Sequence, residues 1–554
     1  MVRTILSAVG LEVRGMHQAA YLLALFALLS QLLALLRDRL LASSFGASHT
    51  LDVYYAAFRV PDLMFATVAS LLSLYALLPI LSRLDTQEEG KGASFLSQAL
   101  LVFFAVMGVV AAVLFVCAPA LVPLIAPGIA SADLVVLTRI LLLQPILLGA
   151  SNIIASLTQL RHRFVLYAIS PLLYNVGIII GIVALYPRLG LEGLAWGVVL
   201  GALLHLGVQV PLFAGERRRR MPLREVLRGL REVLVLSAPR TLTLGAGQVT
   251  LLAFTAMASF FSPGSLAVFM FAFNLQAVPL TIIGVSYSVA AFPTLSRLHA
   301  AGEYPEFLRH IEAALRHVLF WAIPATVFVI VLRAQLVRTI LGAGAFDWDA
   351  TRLTAAALAL LVVSLCAQSI TMLVARAYYA AGKTARPLYF ALVSVAVSVL
   401  SAASLVAVFH SNAFMRDFLE SLLRVQDIAG TTVLMLALGY CLGAVAQAAL
   451  ALRYFAHDYQ LPLAGLRRLA FESFAASVIG GVVSYGVLAL LGNYIDINTT
   501  AGIVSEGILA GLTGLSATAL MLALLRNREL IEAWGSFHRR FIAEPPAVEA
   551  TDVS

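Results

Sequence analysis

Long apolar runs alternate with short polar breaks along almost the whole chain. Runs of about 20 apolar residues are long enough to cross a hydrocarbon core as a helix. They fall near 17–44, 53–81, 94–117, 134–158, 164–186, 191–214, 232–260, 265–294, 310–332, 351–379, 386–409, 430–454, 470–492 and 501–525. The pattern predicts an all-α integral membrane protein with about fourteen transmembrane helices.

The breaks are not alike. After the sixth run the chain reads GERRRRMPLREVLRGLRE, and basic residues recur after every second run: Arg83 and Lys91, Arg161 and Arg163, Arg297 and Arg309, Lys383 and Arg386, Arg467 and Arg468. The intervening breaks, such as APGIASAD, FFSPGS and GNYIDINTTAG, hold almost no Lys or Arg. Cytoplasmic loops carry the excess of positive charge, so both termini are expected in the cytoplasm. The first run lacks a small-residue cleavage site followed by a soluble stretch, so no cleaved signal peptide is expected.

A repeat organises the runs. ALLPILSRL, ending at Leu84, recurs as AAFPTLSRL, ending at Leu298, about six spans later and in the same orientation. This predicts two six-helix lobes related by a pseudo-twofold along the membrane normal. The expected divisions are an N-terminal lobe 17–214, a basic cytoplasmic linker 215–231, a C-terminal lobe 232–456, two additional helices 469–525 and a cytoplasmic tail 526–554.

Composition agrees with the pattern. Hydrophobic residues make up 61% of the 554 and charged residues 12%, with a mean hydropathy of +0.94. Too little polar surface exists for a water-soluble fold. The net charge of +8 is assigned to loops at the anionic cytoplasmic leaflet, not to nucleic-acid binding. Cys117, Cys366 and Cys441 lie far apart inside apolar runs, and the ten histidines are scattered. No disulfide framework, metal site or cofactor is expected.

Charge inside the first two runs is the feature that needs explaining. The segment LLALLRDRLLASSFGASHTLDVYYAAFRVPDLM carries Arg37, Asp38, Arg39, Asp52, Arg59 and Asp62. A charged side chain in the bilayer interior costs about 2.5–3.5 kcal/mol on insertion scales. Two readings are open. The residues sit at helix ends, snorkel and pair with one another, or they line a cationic, partly acid-balanced cavity for an anionic headgroup such as a pyrophosphate. Arginine suits the second role because its planar fork grips phosphate oxygens and never deprotonates. Arg240, in SAPRTLTLGAGQVT, is the candidate cation of the second lobe, or else the basic end of the linker.

Weaker features follow ordinary rules. Gly382-Lys383-Thr384 lacks the earlier glycine and the strand of a phosphate-binding loop. Asp347 and Asp349 read as a turn and the acidic start of the tenth span. MRDFLESLLRVQD, from Met415, is charged on one face and apolar on the other, as for a helix lying on the outer interface.

RDRLLASSFGASHTLDVYYAAFRVPDL resembles the signature of the MurJ/MviN family, the lipid II flippases of the multidrug/oligosaccharidyl-lipid/polysaccharide exporter superfamily. The matching residues are Arg37-Asp38, Phe45-Gly46-Ala47, Asp52, Tyr54-Tyr55, Ala57-Phe58, Arg59 and Pro61. Further matches are APG at 126–128, SPLLYNVGIIIG from Ser170, LEGLAWGVVLG from Leu191 and ARAYYAAGKTARP from Ala375. The resemblance runs in order over roughly 17–525. It implies fourteen helices in two lobes and a central cavity that receives a lipid-linked disaccharide-peptide pyrophosphate. By motif position it implies that Arg37, Asp38, Asp52 and Arg59 are cavity residues.

The sequence departs from that pattern at several cavity positions. Ser30-Gln31 stands where the family has Ser-Arg. Phe65 and Ser70 replace an arginine and a glutamate, and Phe273-Asn274 replaces an Asp-Arg pair. Either Arg39 and Arg240 compensate in a divergent member, or the substrate is another lipid-linked sugar.

The expected function is therefore a flippase, not an enzyme. It would carry lipid II from the inner to the outer leaflet of a bacterial cytoplasmic membrane by alternating access, for peptidoglycan synthesis. Arg37, Asp38, Arg39, Asp52, Arg59 and Arg240 are the candidate substrate-binding residues. The expected partners are the lipid-linked substrate, membrane lipids and a coupling monovalent ion, and the expected state is a monomer. The rivals are a flippase for another polyprenyl-linked glycan, a drug-cation exporter, a polyprenyl-phosphate glycosyltransferase and a non-transporting scaffold.

Overall fold

The computed structural model describes residues 16–72, 74–88, 90–216, 221–492, 494, 499–532 and 535. The centre of the expected linker, 217–220, and most of the expected tail, 536–554, lie outside them. Among the described residues every regular element is a helix. Eleven of these helices are long and apolar enough to cross a membrane, or twelve if Trp348–Val362 and Leu365–Ala380, bent by 43° at their junction, form one span.

The expected count of fourteen is therefore not reached by that measure, and the difference lies in the first two runs. The first run is one helix, Met16–Phe45, with Arg37, Asp38 and Arg39 near its end. The second run is not one helix. It is divided into His49–Ala57, Arg59–Thr67, a short 3-10 turn Ala69–Leu72 and Leu74–Gln87. Pro61 explains the first break: its ring would clash with the carbonyl four residues earlier, and His49–Ala57 stops at that residue. Pro145 stands in the same relation to Leu141, where Ala132–Leu141 gives way to Leu143–Leu160. Five-residue π turns, Gly181–Leu185 and Thr281–Val285, interrupt two further spans.

Part of the expected linker is helical: 223–231 forms the first turns of Leu223–Ala258. The segment from Ala413 to Leu423 is a helix as expected, with Phe414, Phe418 and Leu422 exposed at four-residue spacing.

The chain divides into two compact units. One comprises Met1–Val278, Ile340–Leu361 and Lys383–Gln447; the other comprises Pro279–Thr339, Val362–Gly382 and Ala448–Ser554. In the first, Met16–Phe45 and Leu191–Gly207 both pack on Phe164–Ile180, and Leu223–Ala258 packs on Ala385–Ser411. Lipid offers no hydrophobic drive between helices, so close packing of small residues holds such contacts. Glycines at four-residue spacing, Gly177 and Gly181 against Gly197 and Gly201, bring two backbones together. A Cβ on Gly181 would sit 2.5 Å from Gly197 Cα. At one end of this unit Arg161 spans Glu216, at 2.8 and 2.9 Å, and Asp85, at 3.2 Å.

The second unit uses the same device. Ala464–Leu491 and Thr500–Leu524 meet through Gly480 and Gly514, and a Cβ on either would strike the other helix. Tyr304–Val331 packs on Ala464–Leu491, and Arg316 closes this assembly by an ion pair with Glu529.

Candidate functional site

Arg37 and Asp38 are neighbours near the end of Met16–Phe45, and they pair with each other. Arg37 donates from Nε and Nη2 to Asp38 Oδ1 at 2.9 and 2.8 Å, and from Nη1 to Asn175 Oδ1 at 3.2 Å. Asn175 is positioned by its own amide, which donates to the Pro171 carbonyl at 3.1 Å. The second oxygen of Asp38 accepts from Asn274 Nδ2 at 3.1 Å. Asp38 is 4% exposed, while the Arg37 side chain is 20% exposed. The charge of Arg37 is thus matched by one buried carboxylate, held from both sides by amides. Such a pair loses more by separation than it gains over an apolar isostere.

Arg59 differs. It is 3% exposed, donates to the Tyr55 carbonyl at 3.3 Å and points Nη2 at Met270 Sδ at 3.6 Å. Neither partner is charged. No carboxylate lies within ion-pair distance of it among the described residues, and Asp62, three residues on, is the acidic group close enough to act on it. The nearby Tyr55 hydroxyl is buried without a hydrogen-bond partner among the described residues. A guanidinium whose direct contacts are uncharged can receive an anion.

Asp52 was expected among the cavity residues. Its two carboxylate oxygens instead accept from the backbone amides of Gly264, at 2.6 Å, and Ala267, at 2.8 Å. Those amides open the helix Ser265–Leu280, whose first N–H groups have no partner within the helix. Gly264 has φ +88, and a Cβ there would strike the Ala47 carbonyl. Asp52 thus caps one helix from another.

Arg39 serves a third purpose in this structure. It lies about 200° around the helix from Arg37 and donates to the Ile340 carbonyl at 3.3 Å. There the strap 343–346 joins the helix, with Ala345 N donating to Ser43 O at 2.8 Å. Arg240 is half-buried on Leu223–Ala258. Next to it Thr241 accepts from Ser70 at 3.1 Å.

The structure therefore brings Arg37 and Asp38 together and gives Arg39, Asp52 and Arg59 separate surroundings. It adds Asn175 and Asn274, which sequence reasoning had not chosen. Asn274 had been noted only as a neutral replacement, although an amide inside a spanning helix is itself a signal. No group of three His, Cys, Asp or Glu side chains able to hold a metal ion occurs among the described residues.

Known proteins resemble this chain in sequence and in fold. A family model described as lipid II flippase MurJ matches residues 41–415. The lipid II flippase MurJ of Burkholderia cenocepacia is 28% identical over 395 residues, covering 68% of this chain and 75% of that protein. The probable lipid II flippase MurJ of Thermotoga maritima is 29% identical over 376 residues, covering 67% and 75%. Among solved structures, a lipid II flippase MurJ in an inward closed conformation is similar with a TM-score of 0.70 at 20% identity. It covers 92% of this chain and 100% of that one. A multidrug resistance MATE family transporter of the MOP superfamily is similar at a TM-score of 0.62 and 13% identity, covering 78% and 94%. At such identities the structural likeness speaks for the fold alone. The family model spans more than half of the sequence, including Asp52 and Arg59, and the chain belongs to the lipid II flippase MurJ family.

Proposed function

We propose that this chain carries lipid II, the lipid-linked peptidoglycan precursor, from the inner to the outer leaflet of the bacterial inner membrane. The reading rests on family membership and on a fold made of membrane-crossing helices. It is a transporter's task, with no bond made or broken. The observation that carries the site is Arg59, a buried cation whose contacts are a carbonyl and a thioether. A pyrophosphate would supply the charge-assisted bonds this guanidinium lacks.

In this reading Arg37 is the second cation, released from Asp38 when substrate competes for it. Asp38 positions Arg37, and Asp52 acts through the helix it caps. Arg39 and Arg240 complete the cationic set. The two lobes, 17–214 and 232–456, alternate access with both termini in the cytoplasm, while 469–525 supplies the two additional helices. The protein works as a monomer coupled to a monovalent ion or the membrane potential.

The test is depletion of the protein in its own cell, with lipid II accessibility measured at the outer face. Accessible precursor should fall and inner-leaflet precursor accumulate. Unchanged outer accessibility would overturn the proposal.

A further inference from the structure

A second place outside the charged cluster combines shape with unspent charge. A groove of about 780 Å³ opens between Lys91–Ile125, the span Ala132–Leu160 and the start of Leu191–Gly207. Its walls are apolar and face outward: Val116 is 74% exposed, and Leu143 and Trp196 are exposed beside it. Two charged residues of opposite sign also line it, Arg139 and Glu192.

Arg139 is eight residues into a spanning helix, about 10 Å along it, where a cation needs a partner. The protein supplies two weak ones. Nε donates to the Phe115 carbonyl at 3.0 Å, and the guanidinium stands over the Phe115 ring at 4.6 Å. These contacts fix its direction and leave the two terminal nitrogens without a protein acceptor among the described residues. Glu192, in the first turn of its helix, makes no ion pair with Arg139 or with any other described residue. Two opposite charges that line one groove and do not meet leave a polar gap above an apolar slot.

We propose that this groove holds an acyl chain of a membrane phospholipid with an ethanolamine headgroup. The phosphate lies on the Arg139 fork and the ammonium at Glu192. Charge complementarity selects this occupant. An anionic headgroup would place unmatched negative charge beside Glu192, and a choline has no N–H to donate to that carboxylate. The slot takes the chain, and Trp196 lies at its rim, as aromatic residues do at membrane interfaces. The bound lipid wedges the outer ends of three first-lobe helices, and the inference does not depend on the flipping reading.

Trp196 makes the site measurable. In a chain carrying W321F, W348F and W534F, Trp196 is the remaining indole. Vesicles of phosphatidylcholine are titrated with chain-brominated phosphatidylethanolamine or phosphatidylglycerol, and quenching of Trp196 is read. Phosphatidylethanolamine should quench about five-fold more effectively at low mole fraction, the ratio that corresponds to roughly 1 kcal/mol per interfacial charge contact. R139Q should remove the preference, and E192Q should shift it toward phosphatidylglycerol, with elution and helical circular dichroism unchanged. Equal quenching by the two brominated lipids, a preference for phosphatidylglycerol in the parent, or ratios untouched by both variants would each overturn the proposal.

Discussion

Asn274 donates its side-chain amide to Asp38 Oδ2 at 3.1 Å, joining positions 236 residues apart. The bond completes a chain in which Asn175 holds Arg37, Arg37 holds Asp38 and Asn274 holds Asp38 from the far side. Each amide meets a charge, and hydrogen bonds to charged groups are worth about 1.5–3 kcal/mol.

The links should not be equal. N274A removes one charge-assisted bond and should cost about 1.5 kcal/mol. D38A strands a guanidinium that is mostly removed from solvent and should cost about 3 kcal/mol. Thermal unfolding of the purified protein in detergent should order the Tm values as parent, N274A, D38A. A Tm for N274A at or below that of D38A would mean that Asp38 is not the anchor of the chain.

Arg59 should behave in the opposite way. It has no carboxylate within ion-pair distance among the described residues, Asp62 acting on it only from further off, so R59M keeps the bulk and removes a buried charge that has no direct ionic partner. A buried charge without a direct partner carries its desolvation cost uncompensated, so its removal should be neutral or stabilising. Tm should stay level or rise while complementation of a depleted strain is lost, the signature of stability given up for function. R37M should lower Tm, because Asp38 is then left alone. If R59M also lowers Tm by several degrees, Arg59 is a structural ion and not a substrate cation.

Much of this was legible in the sequence. The apolar runs match helices almost throughout, because a spanning segment must satisfy its own backbone and leaves few other solutions. The second run misled because its apolar residues on both sides of Pro61 read as one span, while the proline ring breaks the helix behind it. Within the site, residue type and membrane depth picked out Arg37, Asp38 and Arg59. Their partners were not legible. The sequence offered Asp52 only as one acid of the charged set, whereas it faces the amides of a helix more than 200 residues away. Asn175 and Asn274 carry no charge to draw attention, and only the packing of distant helices gives them their role.

The glycine crossing provides a stability prediction free of the site. A Cβ on Gly197 would lie against the Gly181 backbone, whereas a Cβ on Gly247 meets nothing within 4 Å. Backbone cannot step aside as a side chain can, so G197A should cost about 1–3 kcal/mol. G247A should be neutral or slightly stabilising through its helix propensity. Membrane accumulation and Tm of the two variants provide the comparison. Equal behaviour would mean that the two helices are not in backbone contact.

Asp52 separates a capping role from a substrate role. Its two oxygens accept from Gly264 N and Ala267 N, so D52A orphans two buried donors at a helix start. Loss of a cap costs about 1–2 kcal/mol. D52N should not restore it, because the amide nitrogen would face one of the two N–H groups with a donor of its own. Both variants should accumulate less, and each surviving molecule should still move lipid at the parental rate, since the carboxylate is spent on backbone. Lipid II translocation in proteoliposomes, normalised to inserted protein, makes the distinction. Normal insertion with a lost rate would place Asp52 in the substrate path and remove the capping account. A parental rate per molecule with lowered insertion supports it, and charge count alone would then overstate the cavity by one carboxylate.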